Sequence, residues 1–569
     1  MDWQRIVLIM GMAIVGVMLL IQWNDFQEAR QPILENNTTT STVISPVQTD
    51  TPRIPDAVPA NTTSAAVSDE IPTPTGTAPA VIAEPKKQGS RLISVKTDSL
   101  HVLIDTYGGD IVKASLPKYP VEIDRPDEPL VLLNRNDSTT YIAQSGLVGT
   151  NGTDLTNGER PTFSAAKTDY VLTDREDSLQ VDLVLQKDNV TITKRFTFKH
   201  DDNLIGVEYL IDNNSSSTWN AHFYAQIKRD DHDPVKSTPG IGMSNFLGVA
   251  STTDEENYSK YKFKDLEEKK VEFRKTGGWV SFVQHYFISA WIPEAESEYS
   301  YSFRKLSNRN QYLFGLTGPA TIVEPGQQGI IKSSFYAGPK DIHRLEEISP
   351  HLELTIDYGP LFFICKPLFY FLNWLHGFVG NWGVAIILLT ICIKAAFFHL
   401  SAKSYRSMAK MRKFSPKLAE LKERYGDNRE QFQKEMMSLY KKEGVNPMGG
   451  CLPMLVQIPV FIALYWVLME SVELRHAPFF LWIEDLSVKD PLFILPLIYG
   501  ASMFLQQKLQ PAIGDPTQQK IMQMMPIVFT FLFLFFASGL VLYWIVNNSL
   551  GMLQQFFIYR QIEKADAKN

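Results

Sequence analysis

The chain has 569 residues, too many for one ordinary domain, so several structural units are expected. Its formal net charge of −7 combines a basic segment with an acidic remainder. Residues 401–446 carry twelve Lys and Arg against six Asp and Glu, a net charge of +6, so the other residues sum to −13. The three cysteines lack the spacing of a zinc site or a disulfide framework, and we expect them to be buried apolar side chains.

The N-terminal segment contains an apolar run from Ile6 to Ile21. A cleaved signal peptide has a similar run, but no small-x-small cleavage site follows this one, which favours an uncleaved transmembrane anchor over 1–24. Residues 25–90 are rich in Thr, Pro, Ser and Ala and poor in aromatic residues. Such a segment cannot bury enough surface to fold, and it predicts a disordered periplasmic linker.

Residues 91–357 have the pattern of an all-β domain. Short segments alternate between apolar and polar side chains, and turn residues separate them; the segments include 181–185, 190–193, 196–198 and 207–209. Many short strands at this spacing predict an antiparallel sandwich. A closing helix is predicted at about 341–348, and His285 is expected to be a structural histidine with satisfied hydrogen bonds.

Apolar segments dominate after residue 360. Residues 361–378 carry polar side chains at intervals, which favours an interfacial helix over a span. The other segments predict five spans, at 382–400, 451–469, 491–508, 521–536 and 538–558. Together with the anchor they make a polytopic α-helical membrane protein with six transmembrane helices, whose core is 358–560 and whose tail is 561–569.

The orientation follows from the basic residues in short loops. The loop 401–446 has twelve Lys and Arg, whereas the loop 470–490 has two. The N terminus, the basic loop and the C-terminal tail are therefore predicted to be cytoplasmic. The β domain then lies across the membrane, and in a bacterium with a periplasm it faces the periplasm.

Lys394 is the first candidate functional residue, because a charge inside a span costs roughly 2.5–3.5 kcal/mol on insertion scales. Thr390 lies on the same helix face, and Gln457, Asn547 and Asn548 could add polar groups to a shared cavity. A snorkelling lysine is an equally good interpretation, because the end of the span is only about 10 Å of helix away.

The basic segment 401–446 predicts an antiparallel cytoplasmic helical hairpin, because its apolar residues follow a 3-4-3-4 spacing. Four methionines are expected to line its seam and to repack around varied apolar partners: Met408, Met411, Met436 and Met437. The excess positive charge suits anionic lipid headgroups or ribosomal RNA, and it equally suits a purely topological role.

The sequence has no GxSxG, HExxH or Walker A motif, and we expect no enzymatic activity, no metal and no cofactor. A transporter or channel is the main alternative function, since an intramembrane lysine commonly marks an ion path. The sequence shows no inverted repeat in its favour. A sugar-binding or sugar-modifying envelope protein is a second alternative, which rests on the β fold alone.

The chain resembles the YidC family of bacterial membrane protein insertases along its whole length, most specifically over 355–560. Six segments carry the resemblance, in this order: LTIDYGPLFFICKPLF, GNWGVAIILLT, SMAKMRKFSPKLAELKERYGD, EMMSLYKKEGVNPMGGCLPMLVQIPVF, DPTQQKIMQMMPIVFTFLF and SGLVLYWIVNN. The resemblance implies a periplasmic β-supersandwich domain followed by a five-helix insertase core.

The resemblance also implies a membrane protein insertase and chaperone that works alone or with the Sec translocon. The implied partners are nascent membrane proteins, ribosome–nascent chain complexes and the lipid bilayer, and not DNA. A positively charged groove in this family attracts the translocated end of the substrate. Lys394 falls on the charged position, where the family usually has arginine, so the charge is kept and the bidentate geometry is lost. Thr390 and Trp544 fall on groove positions, and Phe461, Tyr499 and Leu532 on substrate contacts at the lipid side.

Overall fold

The computed structural model describes residues 91–569 except 156–157, 233–245, 307–309, 414, 426–427, 443–451, 510–515 and 567–569. All of the described residues belong to one compact unit, Ala65–Asn569. The predicted anchor at 1–24 and linker at 25–90 lie outside the described residues, as does Cys451.

The first part of the described chain is a β domain of two large sheets. Its strands are β1 (Leu92–Lys96), β2 (His101–Asp105), β3 (Asp110–Pro120), β4 (Pro129–Arg135), β5 (Thr140–Val148), β6 (Ser164–Ala165), β7 (Asp169–Val171), β8 (Ser178–Lys187), β9 (Val190–Lys199), β10 (Leu204–Asn213), β11 (Trp219–Asp230), β12 (Gly248–Ser251), β13 (Ser259–Tyr261), β14 (Val271–Thr276), β15 (Val280–Gln284), β16 (Phe287–Pro293), β17 (Glu298–Lys305), β18 (Gln311–Val323) and β19 (Gln328–Pro339).

One sheet has the strand order β14-β17-β18-β11-β5-β4-β3-β2-β1-β7, and the other β13-β12-β15-β16-β19-β10-β9-β8-β6. The pairs are antiparallel except β1 with β7. Apolar side chains from both sheets meet in a shared core, which makes the domain a sandwich, as predicted.

Strand β9 explains why the alternation predicts the sheet, and where that prediction is wrong. Its side chains alternate between buried and half-buried from Val190 to Phe198, and the last residue, Lys199, is exposed. The predicted separate strands at 190–193 and 196–198 are therefore one strand. The charged pair between them does not break the period, because Lys194 faces the core while Arg195 faces outward and pairs with Asp182 at 2.7 Å. The turn before β9 uses Asp188 and Asn189, both at positive φ, as a two-residue hairpin favours.

Two short helices belong to the β domain, α1 (Phe263–Glu268) and the closing helix α2 (Ile342–Ile348). Helix α2 begins after Asp341, whose carboxylate accepts hydrogen bonds from the amides of His343 and Arg344 at 2.9 and 3.1 Å. The remaining helices are α3 (Phe362–Val379), α4 (Trp382–Ala396), α5 (Phe398–Lys413), α6 (Ser415–Tyr425), α7 (Arg429–Lys442), α8 (Leu452–Glu470), α9 (Ile494–Leu509), α10 (Pro516–Phe533) and α11 (Ser538–Asp566). Short 3-10 helices lie at Leu352–Thr355, Gly359–Leu361 and Val472–Leu474.

The second predicted span is divided differently from the sequence-based expectation. Helix α4 ends at Ala396, and the chain turns by 66° into α5, so the break lies at Phe397 and not at residue 400. The first hairpin helix is thus α5, which begins three residues earlier than the predicted hairpin at 401–446. Helix α11 continues to Asp566, beyond the predicted end of the last span at 558 and into the predicted tail.

Among the described helices, Gly359–Val379 is long and apolar enough to cross a membrane by itself. The bent pair formed by α4 and α5 passes the same test only when its two parts are taken together, and two shorter apolar helices are present, Val456–Glu470 and Met522–Phe533. The six spans, and an interfacial position for 361–378, stay predictions. Of the cysteines, Cys365 is buried as expected, whereas Cys392 is exposed, which corrects the expectation for that residue.

The β domain and the helical core share one apolar cluster and a set of polar contacts at the end of α8. The Lys340 ammonium lies 2.6 Å from the Glu470 carboxylate. Nε2 of His285 lies 2.9 Å from the carbonyl oxygen of Met469, so this histidine is satisfied, as predicted. Arg475, just beyond α8, donates to the carbonyl oxygen of Pro120 at 2.6 Å. The loop between α8 and α9 therefore lies on the same side of the core as the β domain.

Candidate functional site

Lys394 lies near the end of α4, far from the β domain, and is 9% exposed. Twelve residues of helix, about 18 Å, separate it from Trp382 at the other end of α4. Its side chain borders an open cleft of about 360 Å³. The residues that line the cleft are Ile391, Lys394, Ala395, Phe398, His399, Leu550 and Gln554. The walls are mostly apolar, and the cation is supplied by one residue.

Three polar groups converge beside Gly551 of α11. A methyl group at Gly551 would lie 3.8 Å from the Lys394 ammonium, 3.6 Å from the Tyr405 hydroxyl and 3.6 Å from Nε2 of Gln506. The glycine thus keeps free the space next to the ammonium. Within the part of the chain that the structure describes, no carboxylate lies at ion-pairing distance from Lys394.

Sequence reasoning missed Tyr405, Gln506, Gly551 and Gln554. A helical glycine within an apolar segment gives no periodic signal, and the other three come from helices that only the fold brings together. The available signal was the run of polar side chains on α11, which recurs every three or four residues.

This run forms a polar stripe along α11, made of Asn547, Asn548, Gly551, Gln554 and Gln555. Residues at this spacing share one face of a helix. Each amide of the stripe contacts a neighbouring helix: Asn547 accepts from Gln457 at 2.7 Å, Asn548 lies 3.5 Å from Ser502, Gln554 donates to the carbonyl oxygen of Lys394 at 3.4 Å, and Gln555 to that of Leu509 at 3.2 Å. Of the predicted polar groups, Gln457 and Asn547 therefore meet, whereas Asn548 contacts Ser502 of α9; a cavity shared by all three stays a prediction.

Thr390 is not on the surface of the cleft. Its side chain is fully buried, and its hydroxyl donates to the carbonyl oxygen of Ile386 at 2.7 Å. Threonine often bonds back to the preceding turn when no other acceptor is available in an apolar helix. The prediction that Thr390 lines the groove is thus contradicted by its position, although it lies one turn from Lys394.

Trp544 lies at the β-domain side of the polar stripe. Its ring centroid is 4.6 Å from that of Phe461 and 5.9 Å from that of Phe533. Among the described residues its buried indole Nε1 has no hydrogen-bond partner. A buried N–H without an acceptor is costly, so this group would gain from a carbonyl acceptor if one could reach it.

The three residues predicted to contact substrate from the lipid side have different positions. Tyr499 is 2% exposed and packs on Phe533 at 4.5 Å, so it lies inside the helix bundle and not on a lipid-facing surface. Phe461 and Leu532 are half-buried. A tyrosine within a uniformly apolar segment gives no indication of which face it takes, which explains the difference for Tyr499.

The hairpin helices α5, α6 and α7 meet in a small apolar cluster. Met411, Met436 and Tyr440 are buried there, and Met408, Leu418 and Phe432 pack around them. Met437, predicted to line the seam, is instead 48% exposed. It follows Met436 directly, and adjacent helical residues point about 100° apart, so only one of the two can face the seam.

The described residues contain no group of three or more His, Cys, Asp or Glu placed to hold a metal ion. The chemistry that the site offers is therefore that of a cation, an open cleft and a row of amide groups. Such a site can attract an anionic segment and offer hydrogen bonds to an extended backbone.

Comparison with known proteins gives two adjoining matches to family models. Residues 92–371 match the family described as the YidC periplasmic domain, and residues 374–565 match the family described as the 60Kd inner membrane protein.

Full-length relatives agree with these matches. The membrane protein insertase YidC of Cellvibrio japonicus is 56% identical over 569 residues and covers all of both chains. That of Saccharophagus degradans is 51% identical, over 99% of this chain and 100% of its own. A solved YidC insertase crystal structure aligns with a TM-score of 0.37 and 17% identity, over 82% of this chain and 92% of that one.

Proposed function

The chain belongs to the YidC family of membrane protein insertases, and we propose that it draws the translocated end of a substrate into the cleft at Lys394 and releases the apolar segment sideways into lipid. It is an inner-membrane protein and an insertase, not an enzyme. The observation that carries the proposal is an ammonium group in an open cleft with no carboxylate at ion-pairing distance among the described residues.

An unpaired cation in a largely apolar cleft favours anionic partners. Opposite charges attract more strongly when water is partly excluded, because the effective dielectric constant falls. The apolar walls around Lys394 exclude water on several sides. An acidic residue in the translocated tail of a substrate would therefore gain more from Lys394 than from a lysine on an exposed surface.

The polar stripe of α11 would support the backbone of the same tail. A peptide that leaves water must find partners for its amide and carbonyl groups, since each unsatisfied group costs several kcal/mol in hydrocarbon. Gln457, Asn547 and Gln554 offer donors and acceptors, and Trp544 offers an unpartnered indole N–H. Phe461 and Leu532, both half-buried, would receive the apolar segment on the lipid side.

The hairpin would capture substrates before they reach the cleft. Helices α5 to α7 belong to the segment with twelve basic residues, which suits ribosome–nascent chain complexes and anionic lipid. We further propose that the protein works alone or with the Sec translocon, that both termini are cytoplasmic, and that the β domain is periplasmic. The contacts of the α8–α9 loop with the β domain, opposite the hairpin, support that orientation.

The proposal is tested with full-length protein in liposomes and two versions of one small substrate, with an acidic or a neutral translocated tail. Lys394→Arg should insert both as wild type does. Lys394→Glu should insert the acidic version roughly tenfold less, a loss of about 1.4 kcal/mol, and the neutral version almost normally. Lys508→Glu, at an exposed lysine of α9, is the matched control. Equal loss from both lysines, or full activity of Lys394→Glu on the acidic substrate, would overturn the proposal.

A further inference from the structure

The loop between α8 and α9 has an exposed apolar tip in its middle, residues 478–483. Leu481 is 87% exposed and Phe480 57% exposed. Two adjacent large apolar side chains are rarely held in water by a folded loop without a reason. Their exposure is the first observation that points to a partner.

The tip is held in shape by its own hydrogen bonds. The Phe479 amide donates to the carbonyl oxygen of Ile483 at 2.9 Å, and the Trp482 indole donates to the Asp490 carboxylate at 3.0 Å. Leu481 has a φ of 59°, a left-handed conformation that residues with a branched side chain rarely adopt. The fold therefore keeps Leu481 outward in a strained backbone, instead of turning it into the core.

The position of the tip identifies its surroundings. Asn381, which caps the start of α4, donates to the carbonyl oxygens of Pro478 and Phe479. The Phe479 ring also lies against the backbone of Gly383, where a methyl group would have no room. The tip is thus level with the first turn of α4, at the end of the membrane core that carries the β domain.

The neighbouring end of α3 has the same character. Trp374 and Phe378 are 56% and 72% exposed, and their rings contact each other at 4.6 Å. Phe378 lies three residues before Asn381, so the two exposed apolar segments meet at the start of α4. Aromatic residues of this kind concentrate where the headgroups meet the acyl chains.

We propose that the tip 478–483 inserts Phe480 and Leu481 into the periplasmic leaflet, at the boundary between headgroups and acyl chains. The charged residues that begin at Glu484 limit the depth of insertion, because they prefer the headgroup region. The bound partner is therefore lipid, and the tip anchors the α8–α9 loop, with the β-domain contacts that this loop makes, to the membrane surface.

The first test places one environment-sensitive fluorophore on the full chain in phosphatidylethanolamine–phosphatidylglycerol vesicles. The native cysteines are replaced (Cys365→Ala, Cys392→Ala and Cys451→Ala), and single cysteines are introduced by Leu481→Cys, Glu484→Cys and Glu296→Cys. A nitroxide near the top of the lipid acyl chain should quench the probe at 481 strongly, at 484 less, and at 296, in the β domain, least. Equal quenching at 481 and 296 would overturn the proposal.

The second test uses unmodified protein, in case the cysteine-free chain does not fold. Vesicles carry a lipid with a photoactivatable acyl chain, and crosslinked peptides are identified by mass spectrometry. Peptides that contain 478–483 should carry lipid, whereas exposed β-domain peptides around Glu296 should not. Crosslinks on α3 and α10 without any on the tip would show that the tip stays in water and would refute the proposal.

Discussion

The ammonium of Lys340 and the carboxylate of Glu470 form an ion pair of 2.6 Å whose side chains are only 3% and 9% exposed. Lys340 follows β19, the last strand of the β domain, and Glu470 is the last residue of α8. The pair therefore joins the two parts of the described chain at a place from which water is nearly excluded.

Breaking this pair on one side should destabilise the protein strongly. Lys340→Met or Glu470→Leu leaves a buried charge without a partner, and we expect each to lower the free energy of unfolding by about 3–5 kcal/mol. The double variant should recover most of the loss, because no charge stays buried. Denaturant titration of detergent-solubilised protein measures all three.

The exposed pair of Arg274 with Glu298, 3.9 Å apart, is the control for that experiment. Arg274→Met should change the free energy of unfolding by less than about 1 kcal/mol, since solvent screens the pair. Losses of similar size from Lys340→Met and Arg274→Met would contradict the importance assigned to burial.

Glu473 lies close to the contact between the β domain and α8, and it should make the stability of the protein depend on pH. Burial, and to a smaller extent the charge of Asp341, raise the pKa of its carboxyl group from the ordinary 4.5 to about 7. The folded state therefore prefers the protonated acid, and the stability this gives is full below about pH 4.5 and declines as the pH rises to about 7.

Glu473→Gln, which stays neutral, should remove that decline. Its apparent melting temperature should match wild type at pH 5 and exceed it at pH 8. A difference between the two proteins that is the same at both pH values would contradict a raised pKa for Glu473.

Gly551 should tolerate a methyl group but not a large side chain. The atoms around its Cβ position lie at 3.6–3.8 Å, an ordinary contact distance, so Gly551→Ala should retain insertion. Gly551→Leu should occupy the space at the Lys394 ammonium and reduce insertion of acidic-tailed substrates severalfold. Leucine is a better helix former than glycine, by roughly 1 kcal/mol, so a general loss of helix stability would not be the cause.

Gly377, in the last turn of α3, has open space around its Cβ position and provides the matched substitution. Insertion by Gly377→Leu should stay near the wild-type level in the same assay. If both leucine variants lose activity equally, the space beside Lys394 is not what matters.

The hairpin should open readily and present Met437 to incoming chains. Among the side chains that the structure describes in these helices, the apolar cluster buries Met411, Met436 and Tyr440, too little to hold three helices firmly. Amide exchange in α5 to α7 should therefore be faster than in α8 or α11. A photo-crosslinker at the exposed Met437 should trap a stalled nascent chain at a shorter length than one at Phe461.

A crosslinker at Met411 should be less efficient than one at Met437, because Met411 is buried in the cluster. Exchange in the hairpin as slow as in α11, or first contact at Phe461, would exclude the hairpin as the capturing element.

Removal of the β sheets should preserve insertion per molecule while lowering the amount of protein in the membrane. The cleft is lined wholly by residues between Ile391 and Gln554. Deletion of 91–338, which keeps Lys340 and α2, leaves that cleft intact but uncovers apolar residues that pack on the domain, such as Ile342 and Leu345. Insertion normalised to membrane level should stay within about twofold of wild type; complete loss at normal level would contradict this. A twofold change corresponds to about 0.4 kcal/mol.

The β domain was predictable because its signal is local. In β9 and β10 burial alternates residue by residue, and this period is visible in the sequence. Lys394 was also predictable, since a lone charge in an apolar segment is conspicuous. Its surroundings were not, because Tyr405, Gln506 and Gly551 come from three different helices whose packing has no periodic trace in the sequence.

Errors at the site arose where one side chain had two possible directions. Thr390 bonds its own helix and so does not line the cleft, Tyr499 faces inward, and Met437 faces outward next to a buried Met436. In each case the residue was correctly placed on a helix, but the direction of its side chain around the helix axis was wrong. That direction depends on how neighbouring helices pack, which only the fold specifies.

The bend at Phe397 also determines how events in the hairpin reach the charge. Phe398 and His399 belong to α5, Lys394 and Ala395 belong to α4, and all four residues line the cleft. A change in the angle between α4 and α5 at Phe397 would therefore change the distance between these two pairs of lining residues. Contacts made by α5 would thereby alter the width of the cleft in front of the Lys394 ammonium.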